Sequence, residues 1–254
     1  MKNLSISDIQ KAVNGKLIYG NSSDMVSGVS IDSREVGLGD LFFAIVGEFN
    51  DGHKYIEDVL AKGCRTIVIS NLEAIDKIRN DIADKKANIL LVNDTTDALV
   101  DLGKYYFSLL PIKKVVGITG SVGKTSTRDL TYAVMSSAYK VGKNIKNFNN
   151  RFGIPLSILR FSEDTEVAVL EMGMDGFGQI KTLVDIVSPD IGIITNIGVS
   201  HIERLGSREG ILRAKMEITS LFNEESILIV NGDCDLLSKE RVSGNYRTIT
   251  IGKG

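Results

Sequence analysis

The sequence predicts an α/β protein with two domains, a small mixed α/β domain over residues 1–110 and a mostly parallel, doubly wound domain over residues 111–254. Short apolar runs rich in strand-forming residues alternate with helix-like stretches along the chain, which is typical of parallel sheets joined by crossover helices. Pro111, followed by Lys113 and Lys114, interrupts this alternation and indicates a hinge between the two domains.

The composition supports a folded protein and excludes several classes. The chain has 254 residues, of which 43% are hydrophobic and 24% charged, and its formal net charge is −2. These values exclude a wholly disordered chain and a strongly basic nucleic-acid-binding protein. The longest apolar runs have only strand length and the N-terminal segment has no long apolar stretch, so we expect no membrane insertion and no secretory signal. Cys64 and Cys234 lack metal-site spacing, and we expect two reduced, buried thiols in a cytoplasmic protein.

The first domain contains three strand signals and three helix signals. The strands are predicted where apolar strand formers cluster, at 41–46, 65–70 and 88–92. The helices are predicted between and after them, at 54–62, 71–84 and 95–110. The last helix begins at a Thr-Thr-Asp capping signal and ends before Pro111.

The second domain repeats the order strand, loop, helix. Its strands are predicted at 114–119, 166–171, 191–195 and 226–230, with one more at 247–254. Its helices are predicted at 124–138, 177–187 and 207–222. Because strands and helices alternate, the sheet is expected to be parallel, with its ligand site at the carboxyl ends of the strands.

The strongest motif is 117-GITGSVGKTST-127, which follows a predicted strand and opens a helix, the context of a phosphate-binding P-loop. Its glycines let backbone N–H groups turn around a phosphate, and the helix N-terminus adds partial positive charge. Lys124 supplies a charge for the β- and γ-phosphates, and Thr125 supplies a hydroxyl for Mg²⁺. The strict pattern has glycine where this chain has Ile118, so the loop is a variant. We expect nucleotide contacts from Gly120, Ser121, Val122, Gly123, Lys124, Thr125 and Ser126.

Two further side chains follow strands at the same expected edge of the sheet. Glu171 ends the run 166-EVAVLE-171, where a carboxylate is placed to bind Mg²⁺ together with Thr125. His201 follows the strand 191–195 and is a candidate metal ligand, although on the residues alone a structural or surface histidine is the alternative.

Lys215 is predicted to be buried because of its place in a helical pattern. It lies four residues after Ile211 and three before Ile218, so it points with the apolar side chains of a helix that Ser207 caps. Burial lowers the pKa of a lysine, and a neutral amine can react with CO₂ to form an anionic carbamate. The alternative is a lysine whose stem packs while its ammonium reaches solvent.

Several polar residues are candidates for substrate or nucleotide contacts. Asn149 and Asn150 lie in NFNNRFG, where an amide can bind a phosphate or a carboxylate, and an asparagine turn is the alternative. In the first domain, a hydroxyl and a guanidinium suited to uracil or diphosphate oxygens follow a short apolar segment. The candidates there are Ser33 and Arg34 and the flexible polar loop formed by Gly47, Asn50, Asp51, Gly52 and His53, for which ordinary turns are the alternative.

Four segments together resemble the Mur ligases of peptidoglycan synthesis. They are TGSVGKTST at 119–127, NFNNRFGIPLSIL at 147–159, LEMGMDGFGQI at 170–180 and TNIGVSHIERLGSREGILRAKMEI at 195–218. The segment 29–56 resembles the UDP-binding domain of the same family. Family members carry further central-domain structure and a third domain, so this chain is expected to be an N-terminal piece that does not ligate alone.

The resemblance implies a chemistry and a set of substrates. ATP phosphorylates the terminal carboxylate of a UDP-linked muramoyl tripeptide, and an incoming amine attacks the acyl phosphate, with Mg²⁺ neutralising the phosphates. The segments 147–159 and 170–180 favour the member that adds D-alanyl-D-alanine over the sister that adds the third stem residue. Folylpolyglutamate synthase belongs to the same superfamily but lacks the N-terminal domain, which argues against that enzyme. The alternative from another functional class is a module that binds a nucleotide and does not catalyse a reaction. We expect a monomer in the cytoplasm.

The resemblance also assigns roles to the candidate residues. It implies that His201 binds metal, and that Lys215, in the motif 214-AKME-217, is a carbamylated metal ligand. It favours a ligand contact at Asn149 or Asn150 without choosing between them, and it assigns Ser33, Arg34 and the 47–53 loop to the UDP-sugar end of the substrate.

Overall fold

The structure is a computed structural model that describes residues 3–145 and 147–252, and the chain divides into two compact units, Met1–Tyr106 and Phe107–Gly254. Both units combine helices with a mostly parallel sheet, so the predicted α/β class is confirmed. No helix in the described ranges is long and apolar enough to cross a membrane.

The first unit is built on a mixed sheet with helices around it. Its strands are β1 (Leu4–Ser5), β2 (Lys16–Tyr19), β3 (Met25–Val26), β4 (Gly28–Ser30), β5 (Asp40–Phe43), β6 (Thr66–Ile69) and β7 (Asn88–Leu91). Its helices are α1 (Ile6–Ala12), α2 (Ile56–Ala61), α3 (Arg79–Asp84) and α4 (Thr95–Ser108), and the unit boundary falls inside α4. Short 3₁₀ turns, Gly52–Tyr55 and Leu72–Ile78, precede α2 and α3.

Within the described residues, the larger sheet of this unit has the order β2-β7-β6-β5-β4, in which β2 is antiparallel and the other neighbours are parallel. Strand β6 is buried along its whole length, and its Ile67 and Ile69 lie in the hydrophobic core together with Phe42 of β5. Strands β1, β2, β3 and β4 and helix α1 were not predicted. Helix α1 begins at a capping box in which the Ser5 hydroxyl accepts from the Asp8 amide and the Asp8 carboxylate accepts from the Ser5 amide.

The second unit contains a parallel sheet with helices packed against it. Its strands are β8 (Lys114–Thr119), β9 (Val141–Lys143), β10 (Val167–Glu171), β11 (Ile191–Ile194), β12 (Ile227–Asn231) and β13 (Arg247–Ile251). Its helices are α5 (Lys124–Met135), α6 (Gly153–Ile158), α7 (Gln179–Val187), α8 (Ile202–Leu205), α9 (Arg208–Met216) and α10 (Lys239–Val242).

In the described part of the chain, the strand order of this sheet is β9-β10-β8-β11-β12-β13. The chain fills one side of β8 first and then returns to place β11 on its other side. The strand order therefore reverses between β8 and β11, which leaves a crevice at their carboxyl ends where doubly wound sheets bind ligands.

The predicted elements of the second unit are present, with shorter helices than expected. The helix expected at 124–138 ends at Met135, and the one expected at 207–222 is α9 followed by a 3₁₀ turn, Glu217–Thr219. Strand β9 and helices α6, α8 and α10 were not predicted, because three or four residues carry too little periodicity and α6 contains Pro155.

The cysteine prediction is confirmed for one residue of the two. Both thiols are free, and Cys64 is buried, which raises its pKa to about 11 because the thiolate is poorly solvated there. Cys234 is only partly buried, in the turn that follows β12.

Candidate active site

The phosphate loop connects β8 to α5, as the sequence predicts. Gly120 and Gly123 have φ angles of 149° and 82°, which favour glycine. A Cβ atom on Gly120 would lie 1.8 Å from Thr195 Oγ1, so the close approach of the next loop also requires glycine there. Ile118 belongs to the strand and is fully buried in the core, which is why this variant loop begins later than the strict pattern.

The loop presents hydrogen-bond donors at the N-terminus of α5. Among the described residues, the amide N–H groups of Gly123, Lys124, Thr125 and Ser126 have no acceptor, as is usual for the first turn of a helix. The Lys124 ammonium donates to the Gly120 carbonyl over 2.9 Å, so it lies against the loop. Open amides and a positive charge at a helix N-terminus are the kind of arrangement that suits a phosphate.

The predicted pair of Thr125 and Glu171 is in contact. The Thr125 hydroxyl donates to Glu171 Oε2 over 2.8 Å, and Glu171 is 3% exposed at the end of β10. The guanidinium of Arg128, one turn along α5, lies 3.7 Å from Glu171 Oε2 and offsets the cost of burying the carboxylate. Sequence reasoning missed Arg128, because its position on the helix does not reveal which strand end it meets.

The structure distinguishes Asn149 from Asn150. The Asn149 amide donates to Glu171 Oε1 over 2.7 Å, whereas Asn150 Oδ1 accepts the backbone N–H groups of Phe152 and Gly153 at the start of α6. Asn149 therefore shares the carboxylate with Thr125, and the Asn150 side chain bonds the backbone of the turn that leads into α6.

Asn144 supports this arrangement and was also missed. Its side chain bonds both the backbone N–H and the carbonyl of Glu171, and it donates to the Phe148 carbonyl over 2.9 Å. Asn144 is almost fully buried, so it fixes the end of β10 and the loop that carries Asn149 with one side chain.

A cavity of about 510 Å³ lies beside these groups. Lys124, Asn149 and His201 line it, and His201 is exposed with a φ of 63° at the start of α8. The wall on the other side includes Asp175, whose pKa is lowered mainly by the hydrogen bond from Gln179 and also by Arg204. The structure therefore places Lys124, Asn149, which bonds Glu171, and His201 around one opening.

The site offers oxygen ligands for a hard cation. The hydroxyl of Thr125 and the carboxylate of Glu171 are adjacent, and both are groups that Mg²⁺ prefers. Among the described residues, no three His, Cys, Asp or Glu side chains come close enough to hold a metal by themselves. A metal here would therefore take part of its shell from phosphate oxygens and water.

Lys215 is buried, as the helical pattern predicts. It is 3% exposed on α9, and within the described ranges its ammonium has no hydrogen bond or ion pair. Burial, and secondarily the positive charge of Lys124, lowers the pKa of Lys215 to about 7. The ammonium of Lys215 therefore does not reach solvent, and the alternative is wrong.

This pKa predicts a pH dependence of stability. Between pH 7 and 10.5, unfolded Lys215 keeps a proton that the folded protein has lost, so the free energy of unfolding rises with pH in this window. Lys215→Met is expected to remove this rise and to stabilise the protein at and below pH 7, by about 5 kcal/mol. Urea unfolding across the window measures it, with exposed Lys140→Met as the control. Parallel profiles for wild type and Lys215→Met would contradict the prediction.

Two amides expected to contact the nucleotide have a partner within the protein instead. The backbone N–H groups of Ser121 and Val122 both donate to Asn196 Oδ1 over 3.0 Å. The Val122 side chain is exposed, and the Ser121 hydroxyl accepts from the Gly198 amide. Within the described part of the phosphate loop, the amides at the start of α5 are without an acceptor.

In the first unit, Arg34 and Ser33 lie at an exposed turn after β4. The Arg34 guanidinium pairs with Asp32 over 2.6 Å, and this contact lowers the pKa of Asp32 to about 2. The Ser33 carbonyl accepts a hydrogen bond from the Lys62 ammonium. The Ser33 hydroxyl makes no hydrogen bond with the described residues. The bonds to Asp32 use Nε and Nη2 of Arg34, and the side chain is exposed, so its other N–H groups can meet a ligand while the pair stays in place.

The 47–53 loop contains several internal hydrogen bonds. His53 is buried, its Nδ1 pairs with Asp51 over 2.7 Å, and its Nε2 accepts from the Ser70 amide. Gly47 donates to the Asn50 carbonyl, and Asn50 Oδ1 accepts from Tyr55. A Cβ on Gly52 would lie 2.8 Å from the backbone of Ala44–Ile45. The side chains of His53 and Asp51 bond each other, and Asp51 also accepts from the His53 amide while its side chain stays partly exposed.

Comparisons with known proteins agree with this geometry. Residues 118–254 match the Mur ligase middle domain, and residues 25–107 match the Mur ligase family catalytic domain. The chain is 38% identical over 251 residues to the UDP-N-acetylmuramoyl-tripeptide–D-alanyl-D-alanine ligase of Bacillus subtilis (strain 168), covering 98% of this chain and 52% of that protein.

Solved structures give the same result. MurF from Acinetobacter baumannii is similar with a TM-score of 0.88 at 29% identity, covering 100% of this chain and 54% of that one. MurF ligase from Thermotoga maritima in complex with ADP has a TM-score of 0.77 at 32% identity, covering 90% and 51%. The chain spans about half the length of the curated relatives it matches.

Proposed function

The chain belongs to the Mur ligase family, and from this premise we propose that it carries the ATP and UDP-sugar sites of a ligase that joins D-alanyl-D-alanine to UDP-N-acetylmuramoyl-tripeptide. The observation that carries the proposal is the contact of Thr125 with buried Glu171 beside the open amides of the phosphate loop. Relatives of this specificity, at 29–38% identity, support it. The reaction is one of cytoplasmic precursor synthesis.

The second unit is proposed to bind ATP through its phosphates. The amides of Gly123, Lys124 and Thr125 donate to phosphate oxygens, and the Lys124 ammonium leaves the Gly120 carbonyl to pair with them. The T. maritima relative is in complex with ADP, which supports a nucleotide here. Thr125 and Glu171 would hold Mg²⁺, with His201 nearby, and the ion supplies positive charge that neutralises the phosphates.

The proposed reaction has two steps. An oxygen of the tripeptide carboxylate attacks the γ-phosphorus of ATP, the bond to the bridging oxygen breaks, and ADP leaves, which gives an acyl phosphate. The amine of D-alanyl-D-alanine then attacks the acyl carbon, a tetrahedral intermediate forms, and inorganic phosphate leaves as the amine loses a proton. The cavity lined by Lys124, Asn149 and His201 is where the carboxylate would meet the γ-phosphate.

Lys215 is proposed to act as a carbamate. With a pKa of about 7, a substantial fraction of the amine is neutral at neutral pH and can add to CO₂ with loss of one proton. The carbamate would replace a buried positive charge by a negative one near Lys124, which relieves the repulsion between the two lysines and supplies an oxygen ligand.

The first unit is proposed to bind the uridine end of the substrate. A uridine diphosphate titrated into the ¹⁵N-labelled chain is expected to shift amide signals near Ser33, Arg34 and residues 47–53, because these polar groups precede the hinge. Signals of the second unit are expected to stay in place. Shifts found only beyond residue 111 would contradict this assignment.

The proposed function is tested by product analysis of the complete protein. ATP, Mg²⁺, UDP-muramoyl-tripeptide and D-alanyl-D-alanine are supplied together, and the expected product is the pentapeptide, with one phosphate released for each amide formed. A second assay tests the sister activity. In it, the UDP-linked dipeptide precursor replaces the tripeptide, and the amino acid of the third stem position replaces D-alanyl-D-alanine. Nucleotide binding without either product would support the alternative of a binding module.

A further inference from the structure

The tip of the phosphate loop is bonded to the loop that follows β11. The Thr195 hydroxyl donates to the Val122 carbonyl over 2.6 Å, and the Gly198 amide donates to the Ser121 hydroxyl over 2.9 Å. The Ser121 amide also lies 3.2 Å from the Asn196 carbonyl. The two loops come from β8 and β11, the strands between which the strand order reverses.

Asn196 is the centre of this contact. Its Oδ1 atom accepts from the amides of Ser121 and Val122, each over 3.0 Å. Two successive backbone N–H groups that converge on one oxygen form the same arrangement that binds anions in other loops. Here the neutral carboxamide of Asn196 takes the place of the anion, so the amides of Ser121 and Val122 both have an acceptor before any ligand binds.

We propose that Asn196 is a positioning residue of the nucleotide site, which holds the loop tip so that the amides of Gly123, Lys124 and Thr125 are the ones that meet the phosphates. The inference rests on the proposed nucleotide function. It assigns Ser121 and Val122 to the internal support of the loop rather than to the ligand.

The contact also fixes the distance between two sides of the site. Asn196 lies five residues before His201 in the same segment, and Lys124 and His201 line one cavity. Thr195 fills the space that a side chain at position 120 would need, so the loops cannot approach further. The bonds from Asn196 prevent them from separating, and together these contacts set the width of the opening.

The first experiment measures the loop without nucleotide. Hydrogen exchange of the Val122 amide in the 254-residue chain is expected to be about tenfold or more faster in Asn196→Ala, whereas the Ser121 amide keeps the backbone carbonyl of residue 196 as an acceptor and is expected to change less. Asn196→Asp keeps an oxygen at the same place and is expected to keep both amides protected. Unchanged exchange in Asn196→Ala would overturn the proposed bonds.

The second experiment measures affinity for a non-hydrolysable ATP analogue with Mg²⁺ by calorimetry. Asn196→Ala is expected to bind about tenfold to a hundredfold more weakly than wild type, because two hydrogen bonds that shape the loop are lost. Asn223→Ala, which removes an asparagine from a surface turn of the same unit, is the matched control and is expected to bind as wild type.

The outcomes separate this inference from the function on which it rests. Equal or tighter nucleotide binding by Asn196→Ala, with normal wild-type binding, would show that the Asn196 oxygen competes with a phosphate and would overturn the positioning role alone. Absence of binding by the wild-type chain would overturn the proposed nucleotide site, and the role of Asn196 with it, even if the exchange pattern were as expected.

Discussion

Replacing Lys124 by alanine is expected to abolish ligation by the complete protein, with turnover reduced by about a thousandfold or more. Lys124 is the only cation of the phosphate loop itself, and its ammonium already lies at the loop, 2.9 Å from the Gly120 carbonyl. During transfer of the phosphoryl group, negative charge spreads over its oxygens. The positive charge of Lys124, fixed beside them, stabilises the transition state more than the ground state.

The fold is expected to survive this change. Lys124 is partly exposed, and its bonds are to two loop carbonyls that water can reach when the side chain is gone. The thermal unfolding midpoint should therefore differ little from that of wild type, and pentapeptide yield by mass spectrometry is the main measurement. Lys140→Ala, an exposed lysine of the same unit, is the control. Near wild-type turnover in Lys124→Ala would contradict the assignment of the loop.

The features that the sequence predicts correctly are those determined by neighbouring residues. The phosphate loop lies in one contiguous motif between a strand and a helix, and the burial of Lys215 follows from its spacing to Ile211 and Ile218 on one helix face. The position of Glu171 follows from the rule that parallel strands bind ligands at their carboxyl ends. None of these required knowledge of which distant segments touch.

The features that the sequence does not reveal depend on contacts between distant segments. Asn196 meets Ser121 across 75 residues, and Asn144 meets Glu171 across 27 residues. An asparagine on a loop looks the same in sequence whether it caps a turn or bridges two loops, so Asn149 and Asn150 could not be separated. In the first unit a local signal existed, because an aspartate two residues before His53 is typical of a turn that bonds its own backbone.

Glu171→Gln is expected to remove most of the Mg²⁺ dependence of nucleotide binding and to reduce ligation by about a hundredfold to a thousandfold. The glutamine has the size of the glutamate and can still accept from Thr125, but it lacks the negative charge that holds a divalent cation. The Asn149 carboxamide can turn over and accept from the new amide, so the loss of a hydrogen bond is repaired and the fold is kept.

This repair makes Glu171→Gln a better test of the metal site than Glu171→Ala, which would leave the Asn149 amide without its acceptor and a space beside Arg128. ADP affinity of the 254-residue chain is measured with Mg²⁺ and with a chelator, and the ratio of the two affinities is the quantity compared. Glu166→Gln, at the other end of the same run of residues and paired with exposed Lys113, is the matched control and is expected to keep the wild-type ratio. If Glu171→Gln also kept that ratio, the metal would lie elsewhere, and the contact between Thr125 and Glu171 would serve only to hold the start of α5 against β10. The expected loss follows from charge alone, because every hydrogen bond around the carboxylate can be kept while its charge is removed.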